Sequence, residues 1–533
     1  MILTVQGDLL VINQATDIEK KQLYKLSTAH VQNFIRNRVK QRNNSTWDGK
    51  ICMLIDGIYL PFGLWRRIWE LQKAKIPYQV TINNLMSKFD TTLVRDDFEK
   101  WVKELDTPFE ARQDQIDYAF KILQTRQLVY RLATSYGKTF LTYLTLRYLN
   151  DFNKLKASSK MLVIVPAILL VEQLFDDFES YQVQTYDEQK QKFNAHFKVY
   201  KIHSTAINAY KQNDCQVICG TYQSLINMPK DWFEQFDCVV LDECHKVEAK
   251  SIITLMCNCK HVSYKFGLSG SIDLNDKLLM LTLESYIGAH LGTFTLKEAI
   301  DKNITSNLYV KRLVLQHSAT LDDKYAAYLN SNPSMLDNYT ALSNFESAWL
   351  RDCKEANDVI AQIFCSLDMN SLVLVKRRGH VDNLAQAMIN YCKAHNIHKH
   401  IHIIHGDVNL NDRQDIIDAC KQSTKDNIIV ATVQTLSTGV SIKTLFYAGF
   451  VNIGKSNNIL LQSLGRLIRK HPQKQCATII DIAQWLWLDK KYDKIPDSYR
   501  YRTYDAMHAN SRASIYKAES LNYDTTPTII NLQ

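Results

Sequence analysis

Residues 133–139 (Ala-Thr-Ser-Tyr-Gly-Lys-Thr) constrain the fold most, because they put Gly-Lys-Thr between a strand pattern and a helix pattern. The apolar run before them, 127–132, predicts a buried strand, and apolar residues at helical spacing follow. Backbone N–H groups of such a loop bind phosphate. Lys138 then reaches the β- and γ-phosphates, and the Thr139 hydroxyl binds Mg²⁺. The strict phosphate-loop pattern has glycine where this chain has Leu132. An ordinary surface turn therefore remains an alternative interpretation of these residues.

A second acidic motif decides between these interpretations. The predicted strand 237–241 ends in Asp242-Glu243-Cys244-His245. Carboxylates at a strand end can hold a metal-bound water shell, as expected for Asp242, and polarise an attacking water, as expected for Glu243. Alone, these residues would indicate an acidic turn. A phosphate loop about a hundred residues upstream favours a nucleotide hydrolase.

Strands and helices alternate through two regions, which is typical of parallel sheets covered on both faces. We therefore predict an α/β fold with two tandem parallel-sheet domains and a small N-terminal α+β domain. The predicted boundaries are 1–90, 91–302, 303–485 and a C-terminal tail 486–533 that packs on the second domain. A polar linker is expected around 290–310, and a tail helix near 505–520. Predicted strands lie at 127–132, 161–165, 216–219, 237–241, 265–268, 371–375, 401–404, 427–431, 449–453 and 476–481.

The second region has no Gly-Lys-Thr loop, but it contains Gln462, Arg466 and Arg469 at helical spacing. On one helix these side chains share a face. Two arginines there can stabilise the charge that develops in phosphoryl transfer. A surface helix with ion pairs is the alternative.

Composition sets the broad class. The chain has 533 residues, 46% hydrophobic and 22% charged, which supports large cores. A net charge of +9 is compatible with a polyanionic partner. Twelve cysteines without framework spacing, and no signal or membrane pattern, predict reduced thiols in a cytoplasm. Cys257, Cys259 and His261 lack a second ligand pair at zinc-finger spacing, so buried or incidental thiols are expected there.

The N-terminal region carries a one-sided run of charge, since no acidic residue occurs from Lys20 to Trp47. Helical spacing extends over 18–40. A solvated helix face is one interpretation and phosphate contact is the other. The candidate phosphate-binding residues are Arg36, Arg38, Lys40 and Arg42. Trp65 and Trp69 beside Arg66 and Arg67 either stack on bases or belong to the core.

Eight sequence blocks, in this order, resemble the motifs of superfamily 2 helicases over about 109–485. Gln115 is similar to the family's adenine-reading glutamine. Thr134, Ser135, Tyr136, Gly137, Lys138 and Thr139 are similar to motif I, with Ser135 where most relatives have glycine. Further blocks are similar to motifs Ia to VI: 165–167 with Gln173, 220–225, 242–245, 268–271, 372–376, 431–441 and 462–469. Cys-His after Asp-Glu, and Gln462 opening the last block, resemble the DExH branch. Trp47 to Lys50 and Leu60 to Leu64 are similar to the first domain of a recombination and repair helicase of T-even bacteriophages.

The resemblance implies two RecA-like domains that bind ATP and Mg²⁺ and translocate on DNA. It implies work on branched DNA, namely Holliday-junction branch migration, fork regression and R-loop unwinding. His245 and Gln462 would couple hydrolysis to movement, and Gly439 would belong to the ATP site. Loops at Pro166, Thr221 and Thr435 would contact the nucleic-acid backbone.

Other functions stay open from the sequence. These are a general duplex translocase or RNA helicase, an ATPase-inactive nucleic-acid clamp, and a P-loop metabolic kinase. The expected partner is branched or duplex DNA, or an RNA–DNA hybrid. Single-strand-binding or recombination proteins are further candidates. We expect a monomer in the cytoplasm, that of the host for a phage protein, and no membrane contact.

Overall fold

The computed structural model describes the chain except for residues 32–48, 75–76, 183–184, 188–191, 195–197, 203–214, 260–261, 333–338, 437–441, 487–502 and 533. It contains two compact units. The first comprises Met1–Leu132 and Gly137–Phe294, and the second Ala133–Tyr136 and Thr295–Gln533.

The first unit begins with a four-stranded sheet in the order β5-β2-β1-β6. Strands β1, β2 and β5 are antiparallel, and β6 runs parallel to β1. The strands of this region are β1 Ile2–Gln6, β2 Leu9–Gln14, β3 Thr28–His30, β4 Lys50–Cys52, β5 Tyr59–Pro61 and β6 Thr81–Asn83. Its helices are α1 Asp17–Leu26 and α2 Trp65–Glu70, with 3₁₀ turns at Phe62–Leu64, Leu71–Lys73 and Leu85–Lys88.

A seven-stranded parallel sheet forms the rest of the first unit, in the order β11-β12-β8-β13-β14-β7-β15. Its strands are β7 Gln127–Leu132, β8 Lys160–Val165, β11 Val199–Ile202, β12 Val217–Thr221, β13 Phe236–Asp242, β14 Tyr264–Ser269 and β15 Ala289–Phe294; β9 Thr185–Asp187 and β10 Lys192–Asn194 form a hairpin. The helices are α3 Arg95–Glu104, α4 Gln113–Thr125, α5 Lys138–Asp151, α6 Ile168–Tyr181, α7 Tyr222–Leu225, α8 Lys250–Asn258 and α9 Lys277–Tyr286, with 3₁₀ turns at Lys230–Gln235 and Cys244–Lys246.

The N-terminal sheet packs on the first parallel sheet through close contacts. A Cβ placed on Gly63 would lie 1.8 Å from the Glu284 carbonyl oxygen, so only glycine permits this approach to α9. Asp8 accepts hydrogen bonds from Lys88 Nζ at 2.8 Å and Gln127 Nε2 at 3.0 Å. Leu281 of α9 completes the apolar core of the N-terminal sheet. The two sheets of this unit therefore share a core.

The second unit contains an eight-stranded sheet, also parallel, in the order β18-β19-β17-β20-β21-β16-β22, with β23 also paired to β16. Its strands are β16 Asn307–Gln316, β17 Ser371–Val375, β18 His400–Ile404, β19 Asn427–Thr432, β20 Tyr447–Val451, β21 Cys476–Trp485, β22 Asn522–Tyr523 and β23 Thr528–Asn531. The helices are α10 Leu296–Asp301, α11 Ala319–Ser331, α12 Tyr339–Asp352, α13 Lys354–Cys365, α14 Arg378–Ala394, α15 Leu410–Gln422, α16 Val433–Leu436, α17 Asn457–Leu467 and α18 Tyr504–Ala518.

The predicted fold class, two tandem parallel sheets with a small N-terminal region, is confirmed. The domain boundaries proposed from the sequence stay predictions. The helix expected over 18–40 is confirmed as far as Leu26, where α1 ends, and is wrong at Thr28–His30, where β3 pairs with β4. Residues 32–40 lie outside the described residues. The polar stretch at 290–310 includes the change from the first unit to the second, but it is not a plain linker. It contains helix α10, whose N-cap Thr295 and Glu298 form a capping box.

Trp65 and its neighbouring arginines contact protein. The Trp65 ring meets Phe89 edge-on at 5.6 Å. Arg67 forms an ion pair with Glu284, and Arg66 Nη1 donates to the His290 carbonyl at 2.6 Å. The core interpretation of Trp65 therefore holds, whereas Trp69 is 42% exposed.

Candidate active site

The predicted catalytic residues of the first unit lie at the carboxyl ends of three adjacent strands. Strand β14 lies between β13 and β7, and all three are parallel. Parallel strands end at one edge of the sheet, which is where α/β proteins bind ligands. The phosphate loop follows β7, the Asp-Glu-Cys-His motif follows β13, and Ser269 ends β14.

The phosphate loop has the backbone conformation that its sequence requires. Helix α5 begins at Lys138, and its N-cap, Gly137, has φ 93°. Glycine suits this position because of its positive φ, and a Cβ there would also lie 2.8 Å from Gln115 Nε2, so that the Gln115 side chain would have to move. Ser135 has φ 72°, a left-handed conformation that is uncommon outside glycine.

Gln115 is held firmly beside this loop. Its side chain is 3% exposed, and its Oε1 accepts a hydrogen bond from the Arg112 backbone N–H at 3.1 Å. Gln115 belongs to the first turn of α4, so its backbone is also fixed. This placement beside Gly137 is compatible with the expected contact to a bound nucleotide.

Lys138 and the acidic motif are direct neighbours. Lys138 Nζ lies 3.7 Å from Glu243 Oε1. Glu243 has φ 50°, a left-handed backbone conformation directly after the end of β13. Strain of this kind often marks functional sites.

A hydrogen-bond network holds Glu243. Ser269 Oγ donates to Glu243 Oε2 at 3.1 Å, and His245 Nδ1 lies 3.2 Å from the same oxygen. His245 Nδ1 also lies 2.8 Å from Ser269 Oγ and 3.4 Å from Ser271 Oγ. The Ser-Gly-Ser segment, a weak signal in the sequence, thus supports the acidic motif directly.

The two carboxylates have opposite electrostatic environments. Burial, and then the negative charge of Glu243, raises the pKa of Asp242 to about 6. Burial also acts to raise the pKa of Glu243. The charge of Lys138 and the hydrogen bond with His245 outweigh it and hold that pKa well below its usual range. Glu243 is therefore an anion at neutral pH, whereas at Asp242 burial and the charge of Glu243 outweigh the attraction of Lys138 and His245.

The donor set fits Mg²⁺. Asp242 Oδ1 is buried and has no hydrogen-bond partner within the described residues. A hard divalent cation prefers such a carboxylate oxygen, together with a hydroxyl like that of Thr139 at the start of α5. Among the described residues, no cluster of three His, Cys, Asp or Glu side chains could hold a metal by itself. Mg²⁺ is commonly held by one or two protein ligands plus substrate phosphates, so this arrangement suits it.

The predicted arginine motif lies in the second unit. Gln462 and Arg466 belong to α17, which ends at Leu467. Arg469 lies two residues beyond, so the expectation that all three share a helix face is wrong for Arg469. Pro472 follows closely and disfavours a longer helix, because the residue before a proline avoids helical geometry. Arg469 and Gln462 are half-buried.

The predicted nucleic-acid contacts are distributed over a loop, a strand end and a short helix. Pro166 follows β8, and Thr435 lies in α16, where its hydroxyl lies 2.6 Å from that of Thr432. Thr221 is 3% exposed and caps α7 by accepting from the Ser224 N–H at 3.2 Å. Its hydroxyl therefore shapes the loop locally. Five predicted site residues lie outside the described residues, namely Arg36, Arg38, Lys40, Arg42 and Gly439.

Sequence reasoning assigned no role to two lysines that the structure places in contact with other residues. Lys265 of β14 faces Asp8 at 3.7 Å, and Lys474 lies buried after α17. Neither belongs to a recognisable motif.

None of the described helices combines the length and apolar composition needed to cross a bilayer.

Two family models match this chain. Residues 82–273 match "Type III restriction enzyme, res subunit", and residues 356–471 match "Helicase conserved C-terminal domain". The ATP-dependent DNA helicase uvsW of Enterobacteria phage T4 is 27% identical over 488 residues, which is 90% of this chain and 89% of that protein.

Two solved structures align with this chain. The crystal structure of T4 UvsW aligns over 100% of this chain and 99% of its own, with 24% identity and a TM-score of 0.46. The DNA-bound ATP-dependent Type ISP restriction-modification enzyme LlaBIII aligns over 95% of this chain and 36% of its own, with 12% identity and a TM-score of 0.54. The likeness to LlaBIII concerns the fold alone, and no conclusion is drawn from the likeness to the UvsW structure.

Proposed function

The chain is a superfamily 2 helicase, an ATP-hydrolysing enzyme similar to phage T4 UvsW, and from this premise we propose that it remodels branched DNA in recombination and repair. The specific activities proposed are branch migration of four-way junctions, fork regression and R-loop unwinding. The similarity to a DNA helicase over 90% of the chain supports DNA as the substrate.

One observation carries the proposed catalytic assignment, namely the contact of Lys138 with Glu243 at 3.7 Å. Lys138 and the first turn of α5 bind the triphosphate. Thr139 and Asp242 would hold Mg²⁺, and the ion would supply positive charge that neutralises the phosphates. Gln115 contacts the adenine.

Glu243 orients the attacking water. Burial acts to raise the pKa of Glu243, but this effect is outweighed, mainly by the charge of Lys138, and the pKa is held low. Glu243 therefore accepts a hydrogen bond from the water without keeping its proton. The water oxygen bonds to the γ-phosphorus, the bond to the ADP oxygen breaks, and the proton leaves with the phosphate. Ser269 and His245 hold the carboxylate during this step. His245 and Gln462 respond to the presence or absence of the γ-phosphate, and they couple that change to the DNA-binding loops.

The arginines of the second unit complete the proposed chemistry. Arg466 and Arg469 stabilise the charge that develops on the transferred phosphoryl group. The loops at Pro166, Thr221 and Thr435 hold the DNA backbone, and Arg36, Arg38, Lys40 and Arg42 add phosphate contacts.

The test compares ATP-dependent strand separation of a synthetic four-way junction with that of a linear duplex of equal length. Lys138→Ala is the blank, and it is expected to lose ATP hydrolysis but retain DNA binding. Faster action on the junction supports the proposal. Equal action on both substrates would leave a general duplex translocase, and preference for an RNA duplex would indicate an RNA helicase.

A further inference from the structure

The end of helix α17 is held by donors from two other segments. Lys474 Nζ donates to the Leu467 carbonyl at 2.9 Å and to the Arg469 carbonyl at 3.0 Å. The backbone N–H of Ser306 donates to the Ile468 carbonyl at 2.8 Å. Three consecutive carbonyls around the end of the helix therefore have donors from outside the helix.

The position of Lys474 is unusual for a lysine. The residue is 5% exposed, its ammonium lies 5.4 Å from the centre of the Phe446 ring, and burial followed by the nearby Arg469 charge lowers its pKa to about 8. Burying a cation close to another cation is unfavourable. The two carbonyl contacts and the negative end of the helix dipole offset part of that cost.

Ser306 links this cluster to the start of the second unit. It lies between α10 and β16, and its Oγ donates to the Lys474 carbonyl at 3.2 Å. The Asn307 N–H also donates to the Gln475 carbonyl at 3.2 Å. The backbone that precedes β16 is thereby tied to the segment that carries Lys474 and, through Ile468, to the end of α17.

We propose that Lys474, with Ser306, is a positioning residue that fixes the backbone from which the Arg469 side chain extends. This inference rests on the proposed role of Arg469 in phosphoryl transfer. Because the Arg469 carbonyl and the two before it are all held, the direction of its side chain is set by this cluster. Loss of the Lys474 ammonium therefore misdirects Arg469 while ATP binding by the first unit continues.

The test measures kcat and KM for ATP, with saturating DNA, in Lys474→Met, Lys474→Arg and Lys470→Met. Methionine keeps the apolar stem and removes the donors, and arginine restores donors. Lys470 is an exposed lysine next to Arg469 and serves as the matched control. We expect K474M to lower kcat at least tenfold with KM changed less than threefold. K474R should recover to within about threefold of the parent, and K470M should match the parent.

A double-mutant cycle with Arg469→Ala separates this inference from the proposed function. If Lys474 acts through Arg469, R469A/K474M has the same kcat as R469A alone. Multiplicative losses in the double variant, or an unchanged kcat in folded K474M, would overturn the positioning role. An unchanged kcat in R469A would instead refute the role of Arg469. Thermal unfolding checks each variant, and Lys474→Leu, which also lacks a donor, replaces K474M in the same comparison if K474M does not fold.

Discussion

Gly137 is the residue whose replacement tests the phosphate loop most directly. We expect Gly137→Ala to raise KM for ATP more than tenfold. A Cβ on a residue in the left-handed conformation costs about 1–2 kcal/mol. At this position the Cβ would also lie only 2.8 Å from Gln115 Nε2, so that the amide would have to move. Steady-state ATPase assays measure the effect.

Gly7 provides the matched control. It also has positive φ, 56°, but a Cβ there would meet nothing within 4 Å. Gly7→Ala should therefore lower the free energy of unfolding by about 1–2 kcal/mol and leave KM unchanged. Equal KM values in the two variants would show that contact with Gln115 does not matter for nucleotide binding.

Because the Asp505 carboxyl is buried, we expect the free energy of unfolding to depend on pH. The Asp505 side chain is 1% exposed, and burial raises its pKa to about 6, although Arg512 and Lys376 oppose the shift and Asp481 adds to it. Because the folded-state pKa lies above the unfolded value, the folded state binds the proton more tightly. The stabilisation that comes from this tighter proton binding is complete below about pH 4 and is lost as the pH rises through 6.

Asp505→Asn should therefore gain stability relative to the parent as the pH rises from 4.5 to 7, by about 2 kcal/mol. Asparagine can still accept from the Gln484 N–H, as Asp505 Oδ2 does at 2.9 Å. Denaturant unfolding at several pH values measures the difference, with the exposed Asp415→Asn as control. A difference that is flat with pH would exclude the raised pKa.

At the scale of elements, the tail helix α18 is held by a buried ion pair. Arg512 donates to Asp481 of β21 at 3.0 Å from Nε and at 2.6 Å from Nη2, and both side chains are 1% exposed. Arg512→Ala leaves the buried Asp481 carboxylate without this cation, with the Tyr516 hydroxyl at 2.9 Å as a remaining donor. We expect it to destabilise the second unit by about 3–5 kcal/mol in thermal unfolding.

An exposed ion pair of the same chemistry gives the control. Arg378 and Asp407 are 59% and 60% exposed. Because exposed pairs contribute about 0–1 kcal/mol, Arg378→Ala should have little effect. Comparable losses in both variants would contradict the assignment of Arg512 as a structural anchor of α18.

Elements with a strong local pattern were predictable from sequence, and those defined by distant partners were not. Strand 127–132 and the Gly-Lys-Thr helix start follow from local apolar spacing and were found at Gln127–Leu132 and Lys138. Helix α17 ends before Arg469, where its last carbonyls bind Lys474 and Ser306, and these contacts span up to 162 residues in sequence (468 − 306). The network of Glu243, His245 and Ser269 likewise depends on which strands are neighbours, which spacing alone does not give.

At the scale of the whole molecule, we expect a core mutation in one of the two units to change amide hydrogen exchange in that unit alone. Leu281 is fully buried in the core of the N-terminal sheet but belongs to α9, whose Leu283 lies in the core of the first parallel sheet. Leu281→Ala should cost about 2–5 kcal/mol. We expect faster amide hydrogen exchange in both β1 and β13, because the two sheets share α9, and unchanged exchange in β17 of the second unit.

Leu384→Ala is the reciprocal change, since Leu384 is fully buried in the core of the second unit. It should accelerate exchange in β17 and leave β1 and β13 unchanged. If Leu281→Ala instead accelerates exchange in β1 alone, the N-terminal sheet unfolds independently of the first parallel sheet. That result would favour the domain boundary near residue 90 that the sequence predicts. Joint acceleration of β1 and β13 would mean that the N-terminal sheet and the phosphate-loop sheet are one cooperative unit, so that strain in either is felt at the proposed ATP site.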